Sequence, residues 1–156
     1  MRRKEREVTD VKRIKEIIES CRCCRLGFYD GSEVYIVPLD FGYEEYDGKR
    51  VFYFHSAKKG RKIELIAKTP AVGFELDTNH ELVEGKSACD YTSRYQSVIG
   101  TGKVTFVEGE KNKTEALQSI MFHSTGRNDW DFPLVKLDNV CVFQLEVEKL
   151  SCKEHR

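Results

Sequence analysis

The chain has 156 residues, which is enough for one domain with a buried core. Its 26 basic and 26 acidic residues cancel, so it lacks the basic excess of a general nucleic-acid-binding protein. No apolar run approaches the roughly 20 residues of a membrane span, and the polar start lacks the apolar core of a signal peptide. We therefore expect residues 1–156 to form a single cytoplasmic domain that binds neither nucleic acid nor a membrane.

The first predicted element is an amphipathic helix over residues 8–21, where apolar side chains recur every three or four positions. Thr9 and Asp10 are its candidate N-caps. A strand over residues 25–29 follows, and then a longer one over residues 34–43. Pro38 cannot donate a hydrogen bond within a sheet, which predicts a bulge or an edge in this second strand. Such an interruption leaves backbone groups free to contact a ligand.

The rest of the chain alternates strands with short helices. Glycines at positions 100 and 102 predict tight curvature in one long strand. The predicted elements are a strand over 51–55, a helix from about 60 to 69, strands over 71–77 and 95–107, a helix around 116–121 and a strand over 140–147. Five or six strands and about three helices predict an α+β fold built on an antiparallel barrel.

Six cysteines are present, and in a cytoplasmic protein most of them should be free thiols. Three of them lie in the segment Cys21-Arg22-Cys23-Cys24. No second pair follows at zinc-finger spacing, so we predict no metal site there.

The segment Lys58-Lys59-Gly60-Arg61-Lys62 is the main candidate for chemistry. It comes after a strand that ends in His-Ser-Ala and before an apolar helix. A helix N-terminus attracts anions through its unpaired N–H groups. Arg61 can bind two phosphate oxygens at once, and Lys62 adds a point charge. The segment therefore predicts a phosphate site, and the alternative is a solvated basic helix start.

This segment and three others resemble those of a known family. The other three are residues 24–28, 35–39 and 95–103, and together the four extend over roughly residues 8–150. The chain resembles the flavin mononucleotide (FMN)-binding split-barrel superfamily, which includes pyridoxamine 5′-phosphate oxidase, and within it the Nim-type nitroimidazole-resistance proteins. The resemblance implies an α+β fold, an antiparallel split β-barrel of about six strands with flanking short helices.

The resemblance also implies that FMN is the cofactor. The residues it places at the flavin are Val37, Pro38, Leu39, His55, Ser56, Ala57, Lys59, Arg61, Lys62, Gln96 and Ser97. Residues 37–39 would lie against the isoalloxazine ring. His55 and Ser56 would border the ring or the ribityl chain, and Arg61 with Lys62 would bind the phosphate.

Members of this superfamily are usually homodimers with two flavin sites at the interface. The resemblance therefore implies that Gln96 and Ser97 reach the flavin from the long strand, often that of the partner subunit. An aromatic-rich barrel of this size also has apolar surface to spare for a partner.

The resemblance to Nim-type proteins implies an FMN-dependent oxidoreductase that reduces a nitroaromatic or quinone-like small molecule. Oxidation of pyridoxamine 5′-phosphate is less favoured, because residues 146–156 do not match the arginine-rich segment that holds the phosphate of that substrate. The alternative is a non-catalytic flavin or haem carrier on the same barrel, since one fold can serve several functions.

His55 is the candidate catalytic residue, because a histidine at a strand end can donate a proton near neutral pH. The alternative is a turn histidine bonded to the backbone. His80 lies among carboxylates but has no second histidine at metal-ligand spacing, so a loop role is favoured. His123 follows a helix stripe and is predicted to be structural, and Trp130 is predicted to pack on the barrel rim rather than cover the flavin.

Overall fold

The computed structural model describes residues 3–156, which form eight β-strands and four α-helices. The strands are β1 (Glu7–Val8), β2 (Cys24–Tyr29), β3 (Val34–Leu39), β4 (Gly42–Tyr46), β5 (Lys49–Ala57), β6 (Ala71–Val83), β7 (Thr92–Phe106) and β8 (Val140–His155). The helices are α1 (Val11–Ser20), α2 (Arg61–Lys68), α3 (Glu110–Thr125) and α4 (Leu134–Asn139). The predicted α+β class is confirmed, with two strands more than the six expected.

All the strands pair antiparallel in one open sheet, in the order β3-β2-β6-β7-β8-β5-β4, and the short β1 pairs with β8. The edges β3 and β4 do not pair with each other, so the barrel is split as predicted. Strand β8 joins the half β3-β2-β6-β7 to the half β5-β4. No helix within residues 3–156 is long and apolar enough to cross a membrane.

The core lies inside the curved sheet and is rich in phenylalanine. The Phe52 ring is central, with its centroid 5.5 Å from that of Phe41, 4.9 Å from that of Tyr43 and 5.4 Å from that of Phe74. Helix α1 covers one opening with the buried side chains of Ile14, Ile17 and Ile18. A smaller cluster fills the space between α3, α4 and the sheet.

Helix α1 begins at Val11, directly after the candidate caps Thr9 and Asp10. Asp10 is its N-cap and accepts a hydrogen bond from the Lys12 N–H at 3.1 Å. The apolar Val8 fits the helical period, but it pairs instead with Cys152 in the sheet. Only Val8 departs from the predicted helical pattern, because an edge of β8 is available to that segment.

The predicted strand over residues 34–43 is two strands, and the break lies at Asp40-Phe41 rather than at Pro38. Pro38 lies inside β3 opposite Arg25, which it can do because β3 is an edge strand. The chain turns at Phe41, whose side chain is fully buried.

Strands β6 and β8 continue to Val83 and His155, well past their predicted ends at Asp77 and Val147. Each contains a register irregularity in its pairing with β7, one between Thr78 and Glu81 and one opposite the Thr101-Gly102 step. The predicted curvature near the glycines of β7 thus coincides with an irregularity in the ladder.

Candidate functional site

Helix α2 presents its N-terminus to an open region beside β5. Gly60 precedes the helix with φ +135°, a conformation that favours glycine, and a Cβ there would meet no atom within 4 Å. Its carbonyl accepts hydrogen bonds from the N–H groups of Ile63 and Glu64, at 3.0 and 3.3 Å. The amides of Arg61 and Lys62, the first two residues of the helix, have no carbonyl acceptor within it, so they are the ones left to bind an anion.

The Arg61 side chain lies against the hairpin that joins β2 to β3. Its guanidinium is half exposed, ion-pairs with Glu33 and donates to Asp30 Oδ2 at 3.3 Å. It also lies 5.1 Å from the centre of the Tyr35 ring. These contacts bring the start of α2 to the β2–β3 hairpin and to Tyr35 on β3. The hydrogen bond that Arg61 donates to Glu33 is the main cause that raises the pKa of Arg61.

Two other candidate side chains, His55 and Lys62, differ in exposure. His55 is exposed on β5 opposite Val142, whereas Lys62 is half-buried. The Ser56 hydroxyl donates to the Ala57 carbonyl at 2.9 Å. A guanidinium, an ammonium and free helix amides form a donor set that suits a phosphate group.

The predicted isoalloxazine-contacting segment is the end of edge strand β3. Val37 and Leu39 are half-buried against the core, and Pro38 is exposed on the opposite face. An edge strand leaves part of its backbone N–H and C=O groups unpaired. The segment can therefore offer backbone groups to a planar ligand.

Gln96 and Ser97 lie far from this region in the chain's own sheet. Gln96 pairs with Glu154 near one end of β8, whereas His55 pairs with Val142 near the other end. The contacts of Arg61 thus bring the start of α2 to the β2–β3 hairpin and to Tyr35, whereas Gln96 lies towards the opposite end of β8 from His55.

Gln96 is held by two hydrogen bonds. Its Nε2 donates to Glu154 at 2.7 Å, and its Oε1 accepts from the Asn79 amide at 2.7 Å. The Glu154 side chain is only 9% exposed and also accepts from Arg13 Nη2 at 2.5 Å. Hydrogen bonds from Arg13, and then from Arg156 and Gln96, lower the pKa of Glu154 to about 2 against the opposing effect of burial. The carboxylate therefore stays ionised and fixes which way the Gln96 amide points.

The other histidines are tied to their surroundings. His80 hydrogen-bonds Asp77 Oδ2 at 2.7 Å, and His123 donates to the Cys21 carbonyl at 2.8 Å while its ring packs on Phe41. In the described part of the chain, no group of three His, Cys, Asp or Glu side chains is placed to hold a metal ion. His123 thus packs and bonds as a structural residue.

All six cysteines are free thiols, as expected for most of them. Burial, with a smaller contribution from nearby carboxylates, raises the pKa of Cys21 to about 12 and that of Cys152 to about 11. These two thiols are therefore poor nucleophiles near neutral pH.

A cleft of about 590 Å³ lies elsewhere, between α3 and the outer face of the sheet. Its lining includes Glu44, Tyr46, Tyr53, Phe106, Glu108 and Glu115. Three carboxylates repel a phosphate, so size alone does not make this cleft the flavin site.

Comparison with known proteins decides the family. Residues 10–154 match the family model described as pyridoxamine 5′-phosphate oxidase. The chain belongs to the pyridoxamine 5′-phosphate oxidase family. No curated protein matches it.

Solved structures agree with this family. The chain is 32% identical to a candidate 5-nitroimidazole antibiotic resistance protein from Bacteroides thetaiotaomicron, with a TM-score of 0.82 over 94% of this chain and 85% of that one. The flavocytochrome Anf3 from Azotobacter vinelandii is 18% identical with a TM-score of 0.81, over 100% of this chain and 72% of the other. The FAD and haem binding protein from Mycobacterium smegmatis is 13% identical with a TM-score of 0.83, over 97% and 74%.

In this member of the pyridoxamine 5′-phosphate oxidase family, sequence reasoning missed the partners of two site residues. Glu33 and Asp30 contact Arg61, and Glu154 and Asn79 contact Gln96. The polar alternation of residues 148–155 was a signal for Glu154, because it continues β8 beyond its predicted end.

Proposed function

We propose that this protein is an FMN-binding oxidoreductase that reduces a nitroaromatic or quinone-like small molecule. The observation that carries the proposal is the start of α2, where Arg61 and Lys62 are the first two helical residues and the Arg61 guanidinium lies beside Tyr35 of β3. The 32% identity to a candidate nitroimidazole resistance protein supports the substrate class. The flavin, when bound, supplies the electron-transfer chemistry, while the protein binds and orients it.

Each part of the flavin has proposed partners. Arg61 and Lys62 bind the phosphate, and Ala57 and Lys59 line the same turn. Residues 37–39 lie against the ring and offer it backbone groups. His55 and Ser56 border the ring, and the exposed His55 imidazole donates a proton to the acceptor being reduced.

The protein acts as a homodimer in this proposal, with Gln96 and Ser97 reaching the flavin held by the partner subunit. A second subunit would supply Gln96 to the site, because Gln96 and His55 lie towards opposite ends of β8 and do not meet in one chain. The outer face of the sheet also offers apolar surface to a second copy, since Ile36 is 63% exposed and Ile99 is 51% exposed.

The purified protein tests the proposal directly. We expect a yellow protein, or one that quenches FMN fluorescence and gains thermal stability on titration. With a nicotinamide donor and a nitroimidazole, turnover should exceed that of free FMN at the same concentration. Saturating FMN without quenching or stabilisation would contradict the proposal.

A second candidate is a non-catalytic flavin or haem carrier. The fold likeness to a flavocytochrome and to an FAD and haem binding protein favours it. Tight FMN binding without turnover would support a flavin carrier. A Soret band on reconstitution with haem would instead indicate that haem is the cofactor.

A further inference from the structure

The ion pair between Arg61 and Glu33 affects which flavin the protein binds, if the phosphate site is the one proposed above. Arg61 is the strongest phosphate-binding group at the start of α2, yet a carboxylate of the same chain already contacts its guanidinium. Both edges by which a guanidinium binds two anion oxygens, Nε with Nη2 and Nη1 with Nη2, include the Nη2 atom that Glu33 and Asp30 already contact. The two anions therefore compete for one donor group.

Asp30 and Glu33 play different parts in this contact. Asp30 Oδ1 accepts the backbone N–H groups of Ser32 and Glu33, both at 2.9 Å, so that carboxylate builds the hairpin turn. The Glu33 carboxylate contacts only Arg61 among the described residues, and its side chain is 62% exposed. Glu33 can thus swing into water without disturbing the turn, whereas Asp30 cannot.

We propose that Glu33 is an internal competitor of the flavin phosphate for Arg61, and that it sets how strongly the site prefers FMN to riboflavin. Phosphate binding opens the Arg61–Glu33 pair and leaves the Glu33 charge near a second anion. Both effects weaken FMN binding. Neither acts on riboflavin, which has the same ring and ribityl chain but no phosphate.

The test compares the FMN and riboflavin dissociation constants of the native protein and the Glu33→Gln variant. Exposed ion pairs are weak, so we expect Glu33→Gln to tighten FMN binding by about 2- to 5-fold. Riboflavin affinity should stay unchanged, and raising the salt concentration should reduce the FMN difference. The thermal midpoint of Glu33→Gln should match that of the native chain, because Asp30 still holds the turn.

Glu81→Gln is the matched control, because it breaks an Arg–Glu pair in which the glutamate is also 62% exposed. It should leave the ratio of FMN to riboflavin affinity unchanged. The proposed competition would be contradicted if native protein and Glu33→Gln bound FMN equally well, or if the variant gained as much affinity for riboflavin as for FMN. Either result would leave the proposed flavin function intact. Failure of the native protein to bind FMN at all would overturn both.

Discussion

The side-chain amide of Gln96 donates a hydrogen bond to the Glu154 carboxylate at 2.7 Å. The same carboxylate accepts from Arg13 of helix α1 at 2.5 Å, so one buried charge connects α1, β7 and β8. Removing one member of such a pair leaves the other partly buried and without its partner, which is more costly than losing an exposed pair.

We predict that Glu154→Gln lowers stability at pH 7 by about 1–3 kcal/mol. The folded pKa of Glu154 is lowered from 4.5 to about 2, so its contribution is complete above the unfolded value and is lost as the pH falls through the folded value. Urea unfolding at a series of pH values should therefore show that the free energy of unfolding of the native chain falls to that of the variant between about pH 4.5 and pH 2. Glu16→Gln, which removes the exposed partner of Arg13, should have little effect, and parallel pH profiles for native and Glu154→Gln would contradict the prediction.

We predict that Gly100→Ala destabilises the fold by about 1–3 kcal/mol, because overpacking forces the backbone to shift. A Cβ at Gly100 would lie 2.2 Å from the Lys149 carbonyl oxygen and 2.5 Å from the Phe74 ring. Gly73 on the neighbouring strand is the control, since its nearest contact would be 3.9 Å away. Thermal or urea unfolding measures the stability of Gly100→Ala and Gly73→Ala. Equal stability of the two variants would contradict the prediction and show that β7 can shift to accommodate the added Cβ.

We predict that replacing Arg61 and Lys62 together with Ala weakens FMN binding by about 100-fold, since charge-assisted hydrogen bonds are lost. The loss should be smaller in Arg61→Ala alone, because Lys62 keeps its charge at the proposed phosphate site. Riboflavin affinity should hardly change. Lys68→Ala, at the other end of the same helix, controls for net charge, and FMN titration by fluorescence quenching measures all variants.

We predict that two defective variants restore flavin binding when their subunits are exchanged. One carries the Arg61→Ala and Lys62→Ala changes, and the other carries Gln96→Ala and Ser97→Ala. If each flavin site is shared between subunits, random exchange gives about a quarter of sites with all four residues. An equal mixture of the two variants is refolded together, and FMN titration then counts the restored binding sites. No sites should be restored if all four residues act on the flavin of their own chain.

We predict that His55→Gln lowers turnover of a nitroimidazole by about 100-fold, the usual contribution of a positioned proton donor, while FMN affinity changes little. The matched control is His80→Gln, since His80 is bonded to Asp77 instead. Steady-state kinetics at several pH values measure the effect. A loss of FMN affinity as large as the loss of turnover would instead assign His55 to flavin binding alone.

Most of the fold follows from periodicity and turn chemistry, but the last strand shows where this fails. Thr101 pairs with Lys149 and Gly102 with Val147, so Glu148 is an extra residue in β8. The bulge shifts the alternation by one position, and the inward side chains continue at Leu150 and Cys152. A pattern with a fixed period of two therefore ends at Val147, although the strand continues.

The candidate site shows a second limit. The basic helix start and the histidine before it are contiguous in sequence, so their order alone indicated an anion site. The contact between Arg61 and Glu33 joins residues on different elements, and nothing local in the sequence marks it. The same holds for Gln96 and Glu154, which meet because β7 and β8 pair over most of their lengths.

The place of β8 in the sheet has a consequence for biosynthesis. Strand β8 is the hydrogen-bonded link between β7 and β5, and it follows every other strand in chain order. While a ribosome synthesises the chain up to Asn139, β5 and β7 therefore each have an edge that no later strand has yet covered. Exposed edges of this kind pair readily with neighbouring nascent chains. We expect rapid overproduction to yield aggregates, and slower translation or a bound chaperone to favour soluble protein.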